Sequence, residues 1–155
     1  RKMKTFASLA WSSLLTAGLL ISPAVQAHDD AYLDTLTTPH GGQLRMAGAQ
    51  HYELVLAKDG TEAKASPVIV YVTDHAGTPV KTAGANGSVT ILSGKRKISV
   101  ALQPDGDNRL KGSATYASNP ALKAVVNITL AGQPPQQARF TPLAPRPSNH
   151  SDHNH

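Results

Sequence analysis

Polar and apolar residues alternate in short runs along most of this chain. After residue 27 no long window repeats apolar residues at the helical period. Gln43-Leu44-Arg45-Met46 alternates, and His51–Ala57 does so with Tyr52, Leu54 and Leu56 on one face. Pro67–Thr73 is dense in β-branched and aromatic residues, the composition of a buried strand. Ser88–Leu92, Lys97–Leu102, Arg109–Tyr116, Leu122–Leu130 and Gln137–Thr141 complete the set. Turn chemistry punctuates them at Lys58-Asp59-Gly60, Asp74–Pro79, Asn86-Gly87, Ser93-Gly94-Lys95, Asp105-Gly106-Asp107, Asn119-Pro120 and Gly132–Pro135. Seven or eight short strands at intervals of roughly ten residues predict an all-β fold, an immunoglobulin-like β-sandwich of antiparallel strands. Only Asp30–Leu36 reads as a helical turn. The expected core is Val68, Val70, Val72, Val89, Ile91, Ile98, Val100, Leu102, Val126, Ile128 and Leu130.

Residues 1–27 carry a different pattern. Basic residues ending at Lys4 precede the apolar run Phe6–Ile21, Pro23 breaks it, and Val25-Gln26-Ala27 puts small residues at the −3 and −1 positions. This is the layout of a cleavable secretory signal peptide, and the run is short for a membrane span of roughly 20 residues. The expected organisation is a leader over 1–27, a β-sandwich domain over 28–141 and a disordered His-containing tail over 142–155. Export to the periplasm is expected, with no membrane anchor after cleavage.

Charge and composition narrow the function. The formal net charge is +5, but Arg1, Lys2 and Lys4 would leave with the leader. That leaves 12 Lys+Arg against 10 Asp+Glu, which gives no ground for expecting a nucleic-acid partner. Aromatic residues make up 5% of the chain, few for stacking on bases, and Trp11, the sole Trp, lies in the leader. There is no Cys, so disulfides, thiolate metal sites and cysteine nucleophiles are excluded. No nucleophile elbow, P-loop or His-Glu-x-x-His occurs, and no catalysis is expected. Asp105 and Asp107 resemble a fragment of a calcium loop but lack its downstream Glu, so a hairpin turn is expected there.

The histidines carry the remaining chemistry. All seven follow the leader, at His28, His40, His51, His75, His150, His153 and His155. Imidazole is the commonest protein ligand for Cu(II), Zn(II) and Ni(II). Cleavage after Ala27 would make His28 the first residue, so its α-amino and ring nitrogens could chelate one Cu(II) together. His51 and Glu53 are two apart on a strand and share a face, opposite to Tyr52 and Leu54. That face is expected to be exposed. His40 stands in Pro39-His40-Gly41-Gly42, where glycines permit close backbone approach or positive φ; a metal loop and an ordinary tight turn both fit. His75 follows Asp74 in a turn. His150, His153 and His155, with Asp152 among them, form a His-rich tract that can collect metal ions. Met46 is the one soft thioether after the leader.

Pro39-His40-Gly41-Gly42, His51-Tyr52-Glu53-Leu54-Val55 and Tyr71–Val80 together resemble small periplasmic proteins associated with heavy-metal resistance. A similar pattern occurs in a domain of metal efflux adaptor subunits. The resemblance covers roughly residues 39–141. It implies metal handling, possession of the site positions His40, His51, Glu53 and His75, and an efflux adaptor as a protein partner. His28 also resembles the N-terminal copper ligand of periplasmic copper-resistance proteins of the CopC type. The later Asp-x-His element of that family is missing here, so this second likeness is one of site only.

The expected function is therefore a non-catalytic periplasmic metal-binding protein. It would act as a buffer or chaperone in heavy-metal resistance, with a copper ion as first choice and zinc, nickel or cobalt as others. Its expected ligands are His28, His40, His51, Glu53, His75, His150, His153 and His155. The alternative is an immunoglobulin-like interaction module of the bacterial envelope whose histidines are incidental.

Overall fold

The structure is a computed structural model and describes residues 30–147. Eight strands form: β1 Gln43–Ala47, β2 Gln50–Leu56, β3 Ser66–Asp74, β4 Asn86–Ser93, β5 Arg96–Pro104, β6 Arg109–Ala114, β7 Lys123–Thr129 and β8 Gln136–Phe140. All pair antiparallel, in the order β1-β2-β3-β6-β5-β4-β7-β8. A single turn of helix, Asp30–Leu33, precedes β1.

The all-β class and the antiparallel pairing are as the sequence pattern predicts. The architecture is barrel-like, one continuous sheet whose first and last strands approach each other, where a two-sheet immunoglobulin sandwich was expected. The join between its two halves is narrow. The registered pairs between β5 and β6 are Gln103↔Lys111 and Pro104↔Leu110, next to the bond from the Asp105 N–H to the Arg109 carbonyl. Strands β4 and β7, by contrast, pair over Asn86–Leu92.

The period-2 pattern fixes which side chains turn inward. Tyr52, Leu54, Val68, Val70, Val72, Val89, Ile91, Leu102, Leu110, Leu122, Val126 and Ile128 are buried in one core with Tyr116 and Phe140. Of the expected core, Ile98 is only partly buried and packs against it. Packing also runs past the expected boundary at residue 142, since Leu143 lies against the core and Arg146 donates to the Gly42 carbonyl.

Strand β1 inverts the usual polarity. Gln43 and Arg45 are buried, and Leu44 and Met46 are half-exposed on the outer face. The reason is the seam beside β8. Gln43 accepts the Thr141 N–H at 2.7 Å, and Arg45 donates to Asp34 at 2.8 Å. Polar side chains there satisfy groups that no further strand would pair.

Candidate metal-binding face

The outer face of β2 and β3 collects the singled-out residues that fall among the described ones, His40, His51, Glu53 and His75. His51 lies opposite Met46 on β1 and Thr73 on β3, and Glu53 lies opposite Leu44 and Tyr71. Residues opposite one another in an antiparallel pair share a face, with Cβ atoms about 5 Å apart. Two local devices set this arrangement. The two-residue turn Gly48-Ala49, with Gly48 at φ 60°, fixes the β1–β2 register. At the end of β3, the Asp74 carboxylate accepts the N–H groups of Ala76 at 2.8 Å and Thr78 at 2.9 Å. The Thr78 N–H is the main influence holding the Asp74 carboxyl below its ordinary range.

That turn places His75 over β2. Its ring stacks on His51, with centroids 4.7 Å apart and planes 20° apart. His75 Nε2 also lies 3.3 Å from the Gly48 carbonyl. A carbonyl can only accept, so this contact puts the proton on Nε2 and leaves Nδ1 with its lone pair. Burial pushes the His51 pKa below the ordinary 6.5, the neighbouring His75 adds to that, and Asp74 opposes it. His51 is thereby biased toward the neutral imidazole that a metal ion requires.

The second pair behaves differently. Glu53 was expected on an exposed face, yet it is 3% exposed. The Pro39–Gly42 loop folds over it and turns its carboxylate into an anchor. Glu53 Oε2 accepts the His40 N–H at 3.1 Å and the Gly42 N–H at 2.9 Å, and Oε1 meets His40 Nδ1 at 3.0 Å. Gly42 allows this approach, because a Cβ there would stand 2.5 Å from the Leu54 carbonyl and 2.9 Å from Glu53 Cγ. The His40 ring lies parallel on Tyr71 with centroids 3.5 Å apart. The Glu53 oxygens are thus committed to the loop. The carboxylate acts as an orienting partner to His40, whose proton it draws to Nδ1.

The sequence-predicted residues therefore resolve into two pairs, His51 with His75 and His40 with Glu53. Among the described residues, no group of three or more His, Cys, Asp or Glu side chains stands ready to hold one metal ion. His28, His150, His153 and His155 lie outside the described residues. The paired imidazoles fit a metal in donor type, lie side by side on an accessible surface, and supply two nitrogens. Tyr71 and Arg146 were missed from sequence. Tyr71 shows only once β3 is registered against β2, and Arg146 only once the chain after β8 is seen to return to the His-Gly-Gly loop. No helix among the described residues is long and apolar enough to cross a membrane.

No family model matches the chain, and no curated protein matches it.

Proposed function

We propose that this chain is a non-catalytic metal-binding protein of the periplasm, serving as a buffer or chaperone for copper in heavy-metal resistance. The observation that carries the reading is the stack of His51 on His75. Two imidazoles, one on β2 and one in the turn after β3, meet on an outer face, where the hydrophobic core does not require them. Their donor type suits copper, zinc and nickel alike. The leader-like pattern of residues 1–27 supports export. The tail histidines support a capacity to gather ions for the folded site.

The test is a titration of the full chain with Cu(II) and Zn(II), against the double variant His51→Ala/His75→Ala. The expected result is one binding event that the double variant lacks. Identical isotherms would overturn the assignment to this pair. Failure of both chains to bind better than a scrambled His-containing peptide would remove the metal reading and leave the envelope interaction module.

A further inference from the structure

The paired imidazoles have a neighbour of a different chemical kind. Met46 is the cross-strand partner of His51 in the β1–β2 hairpin, so both side chains stand on the same outer face. Met46 is half-exposed there, on a strand whose inward positions are taken by Gln43, Arg45 and Ala47. His75 approaches from the opposite side of β2 but does not stop over β3. Its Nε2 contact with the Gly48 carbonyl carries the ring across His51 toward the turn that closes β1. Gly48 is two residues from Met46 along the chain. Met46 and His51 thus stand side by side next to the β1–β2 turn, and His75 reaches the carbonyl of that turn.

This juxtaposition has a chemical meaning. A thioether is soft and uncharged, a poor ligand for Zn(II) or Ni(II) and a good one for Cu(I). Met46 stands on the outer face of β1, where its thioether is within reach of that face's surface. We propose that Met46 is the third donor beside His51 and His75, forming a two-imidazole, one-thioether site for a soft monovalent ion, Cu(I) or its analogue Ag(I). The inference rests on the metal-binding reading of the His51–His75 pair and specifies the class of ion that the pair receives. No redox step is involved, because the ion arrives and leaves in one oxidation state. The two pairs on this face then divide the work. His40 and Glu53 fix the loop, and Met46, His51 and His75 take the ion.

The experiment uses the full chain carrying ¹³C-methyl methionine, titrated with Ag(I) while the methyl and imidazole signals are followed by NMR. Wild type and Met46→Leu are then compared for Ag(I), for Cu(I) under anaerobic reductant with a competing chelator, and for Zn(II). The Met46 methyl signal should shift together with the His51 and His75 ring signals. Met46→Leu should lower Ag(I) and Cu(I) affinity by about tenfold or more and leave Zn(II) affinity within about twofold. Ring signals that shift while the Met46 methyl stays in place would overturn this inference and leave the metal-binding reading intact. An equal loss for Zn(II) in Met46→Leu would also overturn it, by showing that Met46 acts through packing. Silence of the methyl and both rings would overturn this inference and the reading beneath it. The NMR arm needs no variant, so a folding defect in Met46→Leu cannot obscure the result.

Discussion

Glu53 grips His40 twice, through the backbone N–H at 3.1 Å and the ring Nδ1 at 3.0 Å. A carboxylate in that position fastens a loop to a sheet. Glu53→Ala should cost about 2–3 kcal/mol, because it removes charge-assisted bonds and leaves the Gly42 N–H without its acceptor. Glu53→Gln keeps one acceptor oxygen and should cost about half as much. Chemical denaturation measures both losses. Metal affinity at His51 and His75 should stay unchanged in both variants, since the two pairs do not share atoms.

Gly42 is the point of closest approach between that loop and β2. Gly42→Ala places a methyl 2.5 Å from the Leu54 carbonyl and 2.8 Å from Val55 Cγ2. The first contact is with backbone and cannot swing away. The expected destabilisation is about 1–3 kcal/mol, read from the denaturation midpoint. Loss of the His40–Tyr71 stack should show as a change in the Tyr71 ring signals.

Tyr52 presents a different tension. Its ring is fully buried, and its hydroxyl has no hydrogen-bond partner. Burial pushes its pKa up to about 12. The sign follows from linkage. A raised folded-state pKa contributes stability that is whole below pH 10 and lost as pH rises from 10 through about 12. Tyr116 is raised in the same direction by burial, although its hydroxyl accepts the Ala57 N–H and donates to the Pro67 carbonyl. Tyr52→Phe should stabilise the fold by about 1 kcal/mol at neutral pH, by removing an unsatisfied hydroxyl. It should also flatten the alkaline limb of a pH–stability curve. Destabilisation by Tyr52→Phe would show that the hydroxyl is satisfied in solution.

His51 governs the acid side. Its pKa lies below 6.5 when folded, chiefly through burial. The unfolded chain therefore binds the proton first, and this group's share of stability, whole above pH 6.5, declines as pH falls through the folded value. His51→Ala should make the acid limb shallower. An NMR titration should give His51 an apparent pKa below 6.5 that rises toward the ordinary value in His75→Ala, where the repelling imidazole is gone. Metal occupancy should fall over the same acid range, since protons compete for the same nitrogens.

The strands were legible because period-2 alternation and turn residues are local signals, and Val68, Val70 and Val72 announce a buried strand without help. Closure of the sheet was not, because it depends on which strands neighbour each other. Pairing β3 with β6 and β4 with β7 skips over intervening chain. The site was half legible. His51 and Glu53 do share a face, but the loop that buries Glu53 comes from Pro39–Gly42, and alternation along β2 carries no record of it. His75 read as a turn residue, which it is; its stacking on His51 depends on the pairing of β2 with β3. Met46 was seen as a lone soft ligand. The Gly48-Ala49 turn already contained its register with His51.

The join between β5 and β6 links two halves of the sheet, and the donors assigned to the ion lie in the first of them. Every donor assigned to the ion falls within one uninterrupted length of chain, from Met46 to His75. The hairpin tip at Gly94 lies in the other half of the sheet, on the far side of that join. Insertions at Gly94 would add surface there without shifting any donor atom. The protein is in this respect partitioned, with the proposed donors in one stretch of sequence and the Gly94 hairpin tip in another.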